Sequence, residues 1–172
     1  FGAWSMPVES AIMAEIDQAN IACGFHAGDP LVMKQAILSA KQHDVVIGAH
    51  PAYPDLQGFG RRSMAIAADE LSAMIQYQVS ALSGMAKACG ANVSYVKPHG
   101  ALYNDMMKDT AVMRTVMQSI AEINMQSLDS PLALMVQATS QNTALKEAAQ
   151  EWGLPLYFEA FSDRRYTDEG LL

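Results

Sequence analysis

Short apolar runs alternate with longer amphipathic stretches along the chain. Runs without a polar face predict strands covered on both sides, whereas apolar residues spaced three or four apart predict helices. The strands are predicted over residues 20–25, 45–49, 93–96, 132–136 and 156–158. The helices are predicted over residues 7–18, 30–43, 71–86, 109–123 and 140–152.

The ends of several helices carry their own signals. Asp29 and Pro30 fit the N-cap and the first helical position of the second helix, and Gly90 fits the end of the third. Regular alternation of strand and helix predicts an α/β fold with a parallel sheet and right-handed crossovers. The pattern leaves open whether that sheet is wound open or closed as a barrel. Since no linker or change in composition interrupts it, we predict a single domain over residues 1–172.

Residues 51–67 break the alternation, because they contain Pro51, Pro54, Gly58 and Gly60 and show no periodicity. A loop of this length inside a compact domain is uncommon and often functional. We therefore expect this segment to contribute to a site.

Composition narrows the classes of function. The chain has 172 residues, of which 51% are hydrophobic and 17% charged, which predicts a compact globule. A formal charge of −7 is unlike the basic footprint of proteins that bind nucleic acids or anionic membranes. No apolar run has the length of a membrane span and no leader pattern is visible, so we expect a soluble, uncleaved, cytoplasmic protein. Cys23 and Cys89 lie outside any C-x-x-C spacing, and we expect no disulfide and an inert, packed Cys23.

Histidines provide the strongest chemical signal. His26, His50 and His99 each follow a predicted strand, whereas His43 ends a helix and is expected to act as a cap. The carboxyl ends of parallel strands meet at one edge, so we expect these three imidazoles in one pocket. Neutral imidazoles can bind a divalent metal or exchange protons near neutral pH.

Charged residues beside the histidines leave alternatives open. Lys97 lies two residues before His99 and is expected on the same side of the strand, as an anion ligand or as a salt-bridged lysine. Arg61 and Arg62 follow two glycines and form either an anion site or a solvated turn. Asp29 is interpreted as an N-cap or a metal carboxylate, and no Walker motif is present.

Asp55 presents the same kind of choice, between a turn residue and a metal carboxylate. At the end of the chain, Glu159 and the segment 163–166 follow the last predicted strand. They either contribute to the sheet edge where the histidines are expected or are simply solvated.

Five segments together resemble a known family. They cover residues 20–29, 48–51, 58–62, 97–104 and 163–166. In this order and spacing they are similar to the LamB/YcsF family. The resemblance implies a parallel β/α barrel-like fold of the glycoside hydrolase/deacetylase type. It also implies action as the A subunit of an ATP-dependent 5-oxoprolinase, which cleaves the lactam of 5-oxoproline (pyroglutamate) to L-glutamate with partner subunits B and C.

The resemblance also implies site residues, with ATP as cofactor. Catalytic groups are expected at His50, Lys97 and His99. Substrate-binding groups are expected at Asn20, His26, Asp29, Arg61, Arg62, Tyr103, Asp163 and Arg164. Compared with the family pattern, an acidic first strand before Phe1 and the last barrel units after Leu172 are missing, so we expect an incomplete barrel.

Two alternatives remain at this point. One is a stand-alone metal-dependent amide hydrolase or deacetylase, with His26, His50 and His99 as ligands of a divalent metal. The other is a non-catalytic subunit that binds 5-oxoproline for a partner enzyme.

Overall fold

The computed structural model describes residues 1–3, 8–126, 130–140, 142–163 and 165. Within these ranges the strands are β1 (Gln18–Ala22), β2 (Val46–His50), β3 (Val93–Val96), β4 (Ala133–Gln137) and β5 (Leu156–Glu159). The helices are α1 (Val8–Met13), α2 (Pro30–Gln42), α3 (Ala68–Ala88), α4 (Gly100–Lys108), α5 (Thr110–Gln126) and α6 (Asn142–Gln150). None of the helices in the described ranges is long and apolar enough to cross a membrane.

All five strands form one parallel sheet in the order β1-β2-β3-β4-β5. The predicted α/β class with a parallel sheet is therefore confirmed. An open doubly wound sheet reverses its strand order at a switch point, whereas a β/α barrel places each strand beside the next. The observed order is that of a barrel segment.

The two faces of the sheet differ in what covers them. One face packs under the helices with apolar residues such as Ile21, Ile47 and Leu134, which belong to the main hydrophobic core. Because side chains alternate along a strand, the neighbouring residues lie on the opposite face. There Asn20, Gly48 and Tyr95 lie side by side across three strands.

Local sequence accounts well for α2 and for β3. The Asp29 carboxylate accepts hydrogen bonds from the backbone N–H groups of Leu31 (2.8 Å) and Val32 (3.0 Å), as expected of an N-cap. The third strand was predicted over residues 93–96 and occupies those residues. Both predictions are confirmed because the signals they rest on are local.

The largest differences from prediction lie around β1 and before α5. The first helix ends at Met13, and β1 runs from Gln18 to Ala22 instead of over residues 20–25, because pairing begins with Gln18 opposite Val46. Residues 100–108, where no helix was predicted, form α4. This helix buries Leu102 and Met106 in the main core, and that packing outweighs the breaking effect of Pro98 and Gly100.

Candidate functional site

The three strand-end histidines lie together. His50 is the last residue of β2, His26 lies in the loop after β1, and His99 immediately precedes α4. Their ring centroids are 4.0 Å apart for His26 and His99, 4.8 Å for His50 and His99, and 5.7 Å for His26 and His50. The expectation that the three rings meet is confirmed. Only His50 and His99 line the cavity described below, and the role of each ring stays a prediction.

His50 and His99 are joined in a hydrogen-bonded chain between two carbonyl groups. His50 Nδ1 lies 2.5 Å from the Lys97 carbonyl oxygen, and His99 Nε2 lies 2.8 Å from that of Phe59. Carbonyl oxygens only accept, so both nitrogens carry protons and donate. In two neutral rings the remaining nitrogens, His50 Nε2 and His99 Nδ1, are then unprotonated, and they face each other at 3.1 Å. One additional proton would convert this contact into a hydrogen bond.

The surroundings keep these rings neutral. Burial lowers the pKa of His50 well below its usual value, and the charge of His99 adds to that effect. The pKa of His99 is also lowered, mainly by burial and further by Arg61 and Lys97, although the Phe59 carbonyl opposes the shift. Near neutral pH both rings are therefore neutral, and each has one unprotonated nitrogen.

His26 has a different environment. It is only 2% exposed, and burial, followed by the charge of His99, lowers its pKa to about 3. Its ring stacks on His99 at an interplanar angle of 14°, and its buried Nδ1 has no hydrogen-bond partner in the described ranges. His26 therefore packs behind His99.

A metal centre on the three histidines does not fit this geometry. The nitrogens of two stacked rings lie in nearly parallel planes, so their lone pairs do not converge on one ion. Among the described residues, no group of three or more His, Cys, Asp or Glu side chains could hold a metal ion. In this arrangement the three histidines do not form a metal site.

A cavity of about 500 Å³ opens beside the His50–His99 pair. Its lining includes His50, Arg61, Lys97, His99, Tyr103 and Phe161. Two cationic side chains thus face one cavity in a chain whose formal net charge is −7. The Lys97 ammonium is paired with the Glu159 carboxylate, so the positive charge that a small anionic ligand would meet comes mainly from Arg61.

Arg61 and Arg62 are adjacent in sequence but have different roles. Arg61 lines the cavity, with its guanidinium 5.5 Å from the centre of the Phe59 ring. Arg62 instead pairs with the buried carboxylate of Asp55, to which its Nε donates at 3.0 and 3.1 Å. Asp55 also accepts from the backbone N–H of Gly58 (2.9 Å). Arg62 therefore holds the loop together and does not line this cavity, and a role for it in substrate binding stays a prediction.

The Asp55–Arg62 pair predicts how stability depends on pH. Hydrogen bonds from Arg62 lower the pKa of Asp55 to about 2, below the value of about 3.9 for an unfolded chain. The carboxylate therefore contributes stability above about pH 4 and loses that contribution as the pH falls toward about 2. We expect Asp55→Asn to lower the urea midpoint at pH 7, by a margin that narrows in acid.

The control for this prediction is Asp17→Asn, at an exposed position. Urea midpoints from about pH 7 to about pH 2.5 are compared for both variants and the wild type. A gap for Asp55→Asn that stays constant across this range would contradict a contribution from the ionised carboxylate.

The long loop 51–67 is fastened to the helices around the cavity. Gln78 of α3 bonds both backbone groups of Ala52, accepting from its N–H (2.9 Å) and donating to its carbonyl (3.0 Å). Asp105 of α4 accepts from the hydroxyls of Tyr53 (3.1 Å) and Ser63 (2.9 Å). Neither Gln78 nor Asp105 was assigned to the site from the sequence. Gln78 could have been noticed, because it is a polar residue on the apolar face of α3.

Two glycines allow this loop to approach the histidines closely. Gly60 has φ +67°, and a Cβ there would lie 2.8 Å from both His26 Cβ and His99 Cδ2. A Cβ on Gly100, at φ +56°, would overlap the Gly60 carbonyl oxygen, which accepts from the Ala101 N–H at 2.8 Å. The loop and α4 therefore meet at a contact between backbones.

The other predicted residues are more scattered. Tyr103 lines the cavity, whereas Asn20 accepts a hydrogen bond from the Tyr95 hydroxyl (2.9 Å) and Asp29 is an exposed cap. Asp163 is exposed, and Arg164 lies outside the described residues. Burial raises the pKa of the Cys23 thiol to about 12, which agrees with an inert, packed cysteine.

Comparisons with known proteins match the whole chain. The model of the LamB/YcsF family matches residues 1–172. The chain is 52% identical to a 5-oxoprolinase A subunit of Pseudomonas putida and 49% identical to the 5-oxoprolinase A subunit of Vibrio parahaemolyticus. It also resembles the crystal structure of the lactam utilization protein from Thermus thermophilus, with a TM-score of 0.87 and 39% identity.

These matches cover all of this chain but only part of each relative. The chain spans 65% of the length of the Pseudomonas putida protein and 66% of the Vibrio parahaemolyticus protein. It spans 66% of the Thermus thermophilus chain.

Proposed function

Because the chain belongs to the LamB/YcsF family, we propose that it acts as the A subunit of an ATP-dependent 5-oxoprolinase and opens the lactam of 5-oxoproline to L-glutamate. The names of its relatives support this substrate. The observation that carries the proposal is the neutral His50–His99 pair beside a cavity that Arg61 and Lys97 also line.

The chemistry of lactam opening explains why this arrangement is suitable. An amide is stabilised by resonance, so its cleavage needs a base that activates water and donors that stabilise the developing negative charge on oxygen. The facing nitrogens of His50 and His99 accept one proton as water forms the new C–O bond, and that proton passes to the ring nitrogen as the C–N bond breaks. Arg61 and Lys97 stabilise the charge on oxygen, and Tyr103 completes the wall that confines the substrate.

ATP use is proposed for the assembled enzyme and not assigned to this chain, which contains no Walker motif. The names of the relatives, each given as one subunit of an enzyme, support partner subunits, which we propose are subunits B and C. We propose that the protein is located in the cytoplasm, because the proposed reaction consumes ATP, which is available there.

Glutamate release tests this proposal directly. We expect the full-length protein, mixed with candidate subunits B and C, to release glutamate from 5-oxoproline only when ATP is present. Omission of this protein should abolish glutamate release. The assay is repeated with a chelator, with enough magnesium left in solution to support ATP, to test for a tightly bound metal. Release without ATP that is lost on chelation would instead indicate a stand-alone metal-dependent amide hydrolase.

A further inference from the structure

Lys97 and Glu159 form an ion pair at the wall of the cavity. Lys97 follows β3 and Glu159 ends β5, so the pair crosses above β4. Lys97 Nζ lies 2.5 Å from Glu159 Oε2, and the two side chains are only 15% and 16% exposed. The ring centres of Phe161 and Tyr103 lie 5.1 and 5.9 Å from the ammonium. The ammonium is therefore held in one place.

The second carboxylate oxygen of this pair is unused. Glu159 Oε1 is buried and accepts no hydrogen bond within the described part of the chain. Buried polar atoms are nearly always paired, and a charged acceptor without a donor costs stability. The oxygen is thus available to a donor that the described residues do not provide.

The proposed substrate provides such a donor in a distinctive arrangement. A five-membered lactam ring holds its amide cis, so its N–H and its C=O point from the same edge. An open-chain amide is almost always trans and points them in opposite directions. The ammonium and the carboxylate place a donor beside an acceptor, which matches the edge of the lactam.

We propose that Lys97 and Glu159 together bind the amide edge of the lactam ring. Lys97 Nζ donates to the ring carbonyl oxygen, and Glu159 Oε1 accepts from the ring N–H. This inference rests on the proposed function and adds a specificity-determining residue, Glu159. It requires a movement of side chains at the cavity wall that uncovers the buried Glu159 oxygen. Phe161, two residues further along the chain, lines that wall.

Binding of two matched ligands tests the proposal. The ligands are 5-oxoproline and the corresponding lactone acid, in which a ring oxygen replaces the N–H. Calorimetry with the full-length wild type should give a Kd at least about tenfold lower for the lactam, as expected for a hydrogen bond to a charged acceptor.

Glu159→Gln changes one atom and should remove this preference. The amide oxygen of the new side chain turns toward the Lys97 ammonium, so its NH₂ group faces the ligand and suits the ring oxygen of the lactone. We expect the two Kd values to come within about twofold of each other, since the lost bond is worth about tenfold. Glu151→Gln is the control, because it removes an exposed ion pair with Arg114 and should leave both affinities unchanged.

Several results would overturn the inference. The same preference in the wild type and in Glu159→Gln would exclude the contact. An equal loss of affinity for both ligands would show that Glu159 only holds Lys97 in place, and a wild type that binds neither ligand also contradicts the proposal. Glutamate release is measured separately, so a protein that turns over 5-oxoproline without this preference refutes the inference and leaves the proposed function intact.

Discussion

His99→Ala is expected to lower ATP- and 5-oxoproline-dependent glutamate release by at least about a hundredfold, the lower range for a general acid or base. His50→Ala should lose a similar factor. Each substitution removes one of the two facing nitrogens, and the remaining ring then lacks the partner that shares the proton. The measurement is kcat/KM of the reconstituted complex.

The double variant distinguishes one shared unit from two independent groups. Both rings belong to a single hydrogen-bonded chain. We therefore expect His50→Ala/His99→Ala to lower kcat/KM by about the same factor as either single substitution. His43→Ala is the matched control, since His43 ends α2 and its Nδ1 bonds only the Ser39 carbonyl in the described ranges (2.9 Å). Wild-type rates in either His50→Ala or His99→Ala would reject the catalytic role.

The largest effect on stability is expected from Gly48→Ala. A Cβ at this position in β2 would overlap the ring of Tyr95 on the adjacent strand. Tyr95 is fully buried and its hydroxyl donates to Asn20 Oδ1, so the ring has little room to withdraw. We expect a loss of about 3 kcal/mol in the free energy of unfolding, at the upper end for overpacked cores.

A second glycine provides the control for Gly48→Ala. Gly84 lies within α3, and a Cβ there would meet nothing within 4 Å. Gly84→Ala should therefore stabilise the fold by up to about 1 kcal/mol, the difference in helix propensity. Urea denaturation measures both changes, and Gly48→Ala should cost less free energy of unfolding in a Tyr95→Ala background than in the wild type, because no ring is then left for the new Cβ to overlap. A Gly48→Ala variant as stable as the wild type would show that the ring moves freely.

Local signals in the sequence were sufficient where one element decides its own structure. Asp29 and Pro30 predicted the start of α2 because a cap and a first turn depend on adjacent residues. The placement of His26, His50 and His99 after strands predicted their meeting, because parallel strands end at one edge. The helix α4 was missed because its stability comes from burial of Leu102 and Met106 in the shared core.

Tandem arginines show the limit of such reasoning. Arg61 and Arg62 have the same charge and nearly the same sequence context, but one lines the cavity and the other pairs with Asp55. The direction of each side chain depends on the path of the loop, which Gln78 and Asp105 fix from distant helices. Glu159 was noticed at the rim, but its pairing with Lys97 depends on two strands that are separated by a third.

The sequence by itself determined the alternation of strands and helices, the parallel sheet and the gathering of three histidines at one edge, since these follow from periodicity and from strand direction. Tertiary structure alone decided that His50 and His99 face each other while His26 stacks behind them. It also decided which cations reach the cavity. Those outcomes depend on distances and ring orientations between segments far apart in the chain, and such quantities exist only after the core has packed.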